Sequence, residues 1–354
     1  MIQLQRALIE DLLPDKPDPQ AIATALQHAV ELEHATIPTY LYALYSLVPG
    51  KNDAIAEIIN SVVVEEMLHM TLACNVLNAI GGSPVVDRPG FIPTFPGPLP
   101  GGVEGQLTVH LRPFSMAQLD TFLEIEEPED PHHYQALAAT EQMVTIGSFY
   151  QAISAAIGRV GESLFVPGPR NQIGPDLMDE AVVVTDVASA QQAITVIVDQ
   201  GEGTAKGPEE TFGTDYAHYY RFQEIQKGRR LVPNPHGQSP DDQYTFSGAP
   251  VPLDTTGVYP IPDDPARGKY RGQQAFQNDT FNYTYTSLLK ALHQMVNGQN
   301  TQEQFNRAIG LMMSLKGQAR AMTAGLPNPR PDPVNFVGPS FEYQAVEPGP
   351  PSAS

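Results

Sequence analysis

Cysteine is nearly absent from this chain of 354 residues. Cys74 stands alone, which excludes an intrachain disulfide framework and any cysteine-rich metal site, and it reads as a small core residue. Basic residues are scarce as well: 20 Lys and Arg face 40 Asp and Glu, the formal charge is −20, and no basic run interrupts the excess. A nucleic-acid backbone or an anionic membrane surface is therefore excluded as an expected partner. The chain also lacks any run of about 18 apolar residues that could span a bilayer. The segment Met1–Leu13 carries two acids and no uninterrupted apolar core, so it does not read as a secretory signal, and a soluble cytoplasmic protein is expected. Asn278-Asp-Thr and Asn282-Tyr-Thr match the glycosylation pattern but are discounted in that setting.

What is present is a globular composition, 41% hydrophobic, on a chain long enough for one large domain or two. The stretch Glu65-Glu66-Met67-Leu68-His69-Met70 organises the rest. It lies in a segment, Ser61 to Ile80, that favours helix and ends at Gly-Gly-Ser-Pro. At about 100° per residue, Glu66 and His69 share a stripe with Val62, Ala73, Val76, Leu77 and Ile80, while Ser61, Glu65, Thr71, Asn75 and Asn78 fall elsewhere. An acid and an imidazole thus point into apolar surroundings. Burying an ionised carboxylate costs several kcal/mol unless it is paired or bound to a metal. From this stretch alone, a buried Glu–His hydrogen bond and a metal site carry equal weight.

Three further helices supply candidates. Gln20 to Leu47 has an apolar stripe with Glu33 at its middle, whereas Glu31 falls on the opposite side; Pro38 inside the pattern should kink it. Tyr40 shares the face of Glu33. A short turn at Pro49–Asp53 makes the next helix run back antiparallel. His133 to Gly158 reads as the third long helix, with Glu141 on the face of Thr145 and Ser148. The fourth, capped by Asp186 or Ser189, runs to Gly201-Glu202-Gly203, where two glycines should break it. Helical pattern resumes from Phe212 to Gly228, and Asp215-x-x-His218 repeats the acid-x-x-His spacing; no other internal repeat is evident. Gly81 to Gly105 and Leu231 to Arg267 are long Pro/Gly-rich connections, Gln106 to Leu111 alternates like a strand, and Ser115 caps a short helix ending at Glu127-Pro128. Helices at about 279–297 and 301–325 follow, then an extended tail. The division expected is a four-helix bundle over 1–230 and a C-terminal extension over 231–354, a helical hairpin at about 279–325 with the tail, packed on the bundle.

In order, the four long helices carry a Glu, a Glu-x-x-His, a Glu, and a Glu or Asp-x-x-His pair. Four-helix bundles that hold two iron or manganese ions use this arrangement. Mixed carboxylate and imidazole donors suit those metals, and the His-Glu-x-x-His of a zinc protease is absent.

The runs Leu32-Glu33-His34-Ala35-Thr36-Ile37-Pro38-Thr39-Tyr40-Leu41, Glu65-Glu66-Met67-Leu68-His69, Ile125-Glu126-Glu127-Pro128, Ile146-Gly147-Ser148-Phe149-Tyr150 and Gln200-Gly201-Glu202-Gly203 resemble the ferritin-like domain of iminophenyl-pyruvate dimer synthase type, over roughly residues 21–228. The resemblance implies a mainly α, ferritin-like four-helix bundle with additional C-terminal helices and long Pro/Gly-rich loops. It supports Glu33, Glu66, His69, Glu202 and His218 as metal ligands. Glu141 completes the expected set, with Ser148 and Glu126 as alternatives for the third-helix role and Asp215 as a competitor of Glu202. One or two iron ions are expected, with manganese as the other candidate. Some members of that family couple imines of aromatic 2-oxo acids. The function expected is a metal-dependent oxidoreductase acting with dioxygen or peroxide on a small organic substrate, an amino-acid-derived imine or 2-oxo acid; the alternative is a non-catalytic metal-binding or storage protein. The partner expected is the small-molecule substrate, with homo-oligomerisation left open.

Overall fold

In the computed structural model, residues 4–102, 107–128, 143–202, 208, 215–237, 243–325 and 336–349 are described. The helices are α1 (Ala7–Glu10), α2 (Pro19–Ser46), α3 (Asp53–Ala79), α4 (Met116–Ile125), α5 (Ile146–Val160), α6 (Val187–Glu202), α7 (His218–Lys227), α8 (Gly272–Val296) and α9 (Gln302–Thr323). Two short antiparallel ribbons accompany them: β1 (Leu4–Gln5) on β2 (Met143–Val144), and β3 (Val232–Pro233) on β4 (Tyr244–Thr245).

Local chemistry sets the helix starts. Asp18 accepts the backbone N–H of Gln20 at 2.9 Å, with Pro19 in the first turn of α2. Ser115 does the same for Gln118 in α4, Thr145 for Ser148 in α5 and Thr301 for Gln304 in α9. Pro38 lies inside a helix that continues to Ser46.

Packing closes a ring: α2 lies on α3, α3 on α6, α6 on α5 and α5 back on α2. This is the four-helix bundle. Outside the ring, α4 packs on α7, which also touches α3 and α6. The α8–α9 hairpin also packs on the ring, α9 against α2 and α8 against α3.

Three expectations change. The third helix does not run from His133 through Gly158: Met143 and Val144 pair with β1, and helix begins only after the Thr145 cap. Residues 129–142, and with them Glu141, lie outside the described residues. Residues 107–111 form no strand; Val109 makes a single bridge to Gly97. Helix is not continuous from Phe212 to Gly228: residues 215–217 are not helical and α7 begins at His218, while residues 211–214 lie outside the described residues.

Buried asparagines anchor the long connections. On α3, Asn75 Nδ2 donates to the carbonyls of Ile173 and Val182, and its Oδ1 accepts from Ile173 N at 3.0 Å. Asn78 donates to Val296 O at 2.7 Å, tying α8 to α3. Asn52 binds Asp254 and Gly257 in the same way, and Asn278 and Asn282 hold Ser340 in the tail. Asn75 and Asn78 were expected off the apolar stripe of α3, and they are; covering segments bury them there.

Asn75→Leu leaves one N–H and two carbonyls buried without partners, at about 1–3 kcal/mol each. A loss of about 3 kcal/mol or more is expected in urea unfolding. His34 gives a second test. Its Nε2 lies 2.6 Å from Tyr285 Oη, its ring is 4.3 Å from Phe91, and burial pushes its pKa down to about 3. Between pH 6.5 and 3 the unfolded chain takes up a proton that the folded one refuses. Stability should therefore fall with pH by about 1.4 kcal/mol per unit from this group. In His34→Gln that slope should shrink by this amount, as measured by urea unfolding at pH 4 to 7.

Candidate metal centre

Five ionisable side chains meet where the bundle ring faces the α4–α7 layer. Glu33 comes from the middle of α2, and Glu66 and His69 come from one turn of α3. Glu126 is the residue that ends α4, and His218 is the first of α7. All five are buried, His218 completely. Glu33, Glu66, His69 and Glu126 line a cavity with about 50 Å³ of free space, together with apolar side chains such as Leu32, Ile125, Ile146 and Ile197. That is room for a few water-sized occupants.

Outside contacts orient both imidazoles. The Glu180 carboxylate only accepts, and it takes a hydrogen from Gln200 Nε2 at 2.8 Å, so the Gln200 oxygen faces His69 Nε2 at 3.0 Å. His69 therefore carries its outward hydrogen on Nε2. His218 Nε2 lies 3.0 Å from Glu65 Oε2, and Arg221 grips the same carboxylate through both terminal nitrogens. Each ring then turns Nδ1 inward. His69 Nδ1 is 3.4 Å from Glu33 Oε2; His218 Nδ1 is 3.0 Å from Glu66 Oε1 and 3.4 Å from Glu126 Oε2. The rings stack with centroids 5.3 Å apart. Two tyrosines hold the far carboxylate oxygens: Tyr150 Oη donates to Glu33 Oε1, and Tyr40 Oη to Glu126 Oε1.

The electrostatics follow from three acids in a dry site. Burial and the neighbouring Glu126 charge raise Glu66 to about 7, against the opposing pull of His218. Burial disfavours charge on His69, but the Glu33 hydrogen bond and the charges of Glu33 and Glu66 outweigh it, and its pKa is raised. His218 is raised well above its ordinary value, burial being outweighed by Glu126, Glu65 and Glu66. Glu65 goes the other way: burial is overcome by His218 and Arg221, and its pKa falls to about 2.

The donor set fits a cation. Ligand atoms of Glu66, His69 and His218 all lie within 4.8 Å of one another. Two donors about 2.1 Å from one ion and at right angles are about 3 Å apart, which is the spacing between His218 Nδ1 and Glu66. His218 Nδ1 is fully buried yet has no well-aligned hydrogen-bond partner. Among the described residues, the ion pairs of Glu33, Glu66 and Glu126 run only to His69 and His218, never to Lys or Arg.

Of the residues expected from the sequence, Glu33, Glu66, His69 and His218 are brought together. Glu141 lies outside the described residues, and the side chain of Glu202, the last residue of α6, is not described. Asp215 is exposed and precedes α7, so Asp215-x-x-His218 is not an acid and an imidazole on one helical face. Glu126, ranked as a reserve outside the bundle, is in the centre because α4 packs on α7. Glu65, placed on the solvent side by periodicity, is covered by α7 and binds Arg221 and His218. Tyr40 shares the face of Glu33 as read but serves Glu126. Gln200, Tyr150 and Arg221 were not singled out. The signal for Arg221 was there, since His218-x-x-Arg221 places both on one side of a helix.

Residues 26–227 match the model of the family described as Ferritin-like. A solved structure, a ferritin like protein from Caulobacter vibrioides, aligns with a TM-score of 0.56 and 23% identity, covering 84% of this chain and 95% of that one. At that identity the likeness concerns the fold alone. No curated protein matches the chain.

Arg221→Met strands the Glu65 carboxylate. Since the Glu65 side chain is 17% exposed, the expected loss is about 2–3 kcal/mol, below the range for a fully buried pair. Glu65→Leu combined with Arg221→Met should recover only part of it in chemical denaturation, because the buried His218 Nε2 then loses its acceptor.

Proposed function

Because the chain belongs to the Ferritin-like family, we propose that this cluster is a carboxylate–histidine centre for iron, or alternatively manganese, held by Glu33, Glu66, His69 and His218. One observation carries the reading: buried carboxylates outnumber the cations among the described side chains around them. Even with both imidazoles protonated, three ionised acids leave one negative charge to balance, which is why Glu66 is driven toward its protonated form, and a divalent ion balances it without that proton. Inward Nδ1 atoms with Nε2 hydrogens fixed from outside suit such an ion.

The activity proposed is that of an oxidoreductase acting with dioxygen or peroxide on a small organic substrate, of the iminophenyl-pyruvate dimer synthase type, with an imine or 2-oxo acid as substrate. Bound here, iron or manganese supplies electron transfer and Lewis acidity. The chain's own residues prepare the site. Leu32, Ile125, Ile146 and Ile197 give the cavity an apolar lining beside the acids. Tyr150 fixes the rotamer of Glu33 by donating its hydroxyl hydrogen, and burial together with Glu33 raises the phenol's pKa well above its ordinary value, so it stays a donor. Arg221 keeps Glu65 ionised, and Glu65 holds the Nε2 hydrogen of His218. Gln200 and Glu180 do the same for His69.

Elemental analysis of freshly purified protein tests the reading. Iron or manganese near stoichiometric amounts is expected in the wild type, with loss of nearly all of it in Glu66→Ala and His69→Ala. Equal occupancy in wild type and both variants refutes the assignment.

A further inference from the structure

Resting on the metal reading above, we propose that Glu126 is itself a metal ligand, and that with it the centre holds two ions. The third carboxylate of the site then comes from outside the four-helix ring. The ring's third helix, α5, has no Asp or Glu anywhere between Ile146 and Val160, and it lines the cavity with Ile146 and Tyr150. Among the described residues, Glu126 brings a carboxylate to that cavity from the end of α4. It is 8% exposed, lines the cavity, and sets Oε2 at 3.4 Å from His218 Nδ1, the atom that also lies 3.0 Å from Glu66 Oε1.

Glu126 is placed at some cost. It caps the C-terminus of α4, where the partial negative charge of the helix end repels a carboxylate by roughly 0.3–1 kcal/mol. It is also buried, and its ion-pair partner among the described residues is an imidazole that Glu65 and Glu66 already share. The Tyr40 hydrogen bond and the shared His218 offset part of that cost, and a cation at Oε2 would offset the rest.

Its geometry is prepared for one free oxygen. Tyr40 Oη holds Oε1, and the Tyr40 ring is braced edge-on by Phe122 at 4.7 Å and Phe222 at 5.4 Å. That leaves Oε2 for an ion. The donors then divide into two sets that share Glu66: Glu33, Glu66 and His69 from the bundle, and Glu66, Glu126 and His218, completed by the α4–α7 layer. Each ion has a distinct second carboxylate, and each can be removed separately.

The test is manganese(II) titration of the chelator-treated full chain, with free ion followed by its electron paramagnetic resonance signal. Two ions per chain are expected for the wild type, one for Glu126→Gln and one for Glu33→Gln. Gln keeps an oxygen to accept from Tyr40, and unchanged thermal unfolding in chelator checks that the variant folds. Glu127→Ala should keep both ions. If the wild type binds two and Glu126→Gln still binds two, this inference fails while the metal reading stands. One ion in the wild type also overturns it. No ion in the wild type overturns both.

Discussion

Three carboxylates held away from water against two imidazoles are the constraint on which the rest of this molecule depends. Taking one such charge out of water costs several kcal/mol even after relaxation. At most two of the three can be balanced by protonated histidines. The surroundings respond at every contact: two tyrosines donate to far oxygens, a guanidinium secures the glutamate behind one imidazole, and an amide secured by a glutamate stands behind the other. Protons and a divalent cation compete for the same inward Nδ1 atoms. The raised pKa values of Glu66 and both histidines express that competition in the absence of the ion.

Holding such a site needs rigid walls. The walls are long helices, but the long Pro/Gly-rich connections are what keep them in place. Buried asparagines convert those connections from loose chain into fixed cover. Each offers two donor hydrogens and an acceptor oxygen on a short stem, enough to satisfy backbone groups that would otherwise be buried unpaired. Asn75 and Asn78 lie on the same helix as Glu66 and His69, so the segments they anchor also fix the rotation of α3 about its axis. A slip of that helix would misplace the acid and the imidazole together.

Periodicity made the bundle half of the site legible. Glu33, Glu66 and His69 each interrupt an apolar stripe, and a buried acid in a stripe is informative because it is expensive. His218 was singled out by its spacing from Asp215 and by the family resemblance; the cluster contains His218, while Asp215 is exposed and precedes α7. Two effects hid the remainder. Glu65 sits off the stripe of α3, but α7 packs there, and contacts between elements distant in sequence leave no local pattern. The third helix was read as continuous through residues 143–145 because Met143 fits the apolar stripe of Ile146 and Tyr150, while pairing with Leu4 and Gln5 holds Met143 and Val144 extended and Thr145 caps α5.

The position of the cavity assigns the C-terminal hairpin its role. Its lining comes from α2, α3, α4, α5 and α6, and nothing in it comes from α8 or α9. Those two helices lie against α3 and α2, with Asn78 of α3 tied to the end of α8. Among the described residues the hairpin does not line this cavity; it packs on the two helices that carry Glu33, Glu66 and His69. Outside the ring, the short α4 and α7 each contribute one side chain at a helix end, Glu126 and His218. A helix end can move without repacking a long interface. The bundle half of the centre is thus the rigid half, and the α4–α7 half is where a small change in packing would alter the donor set.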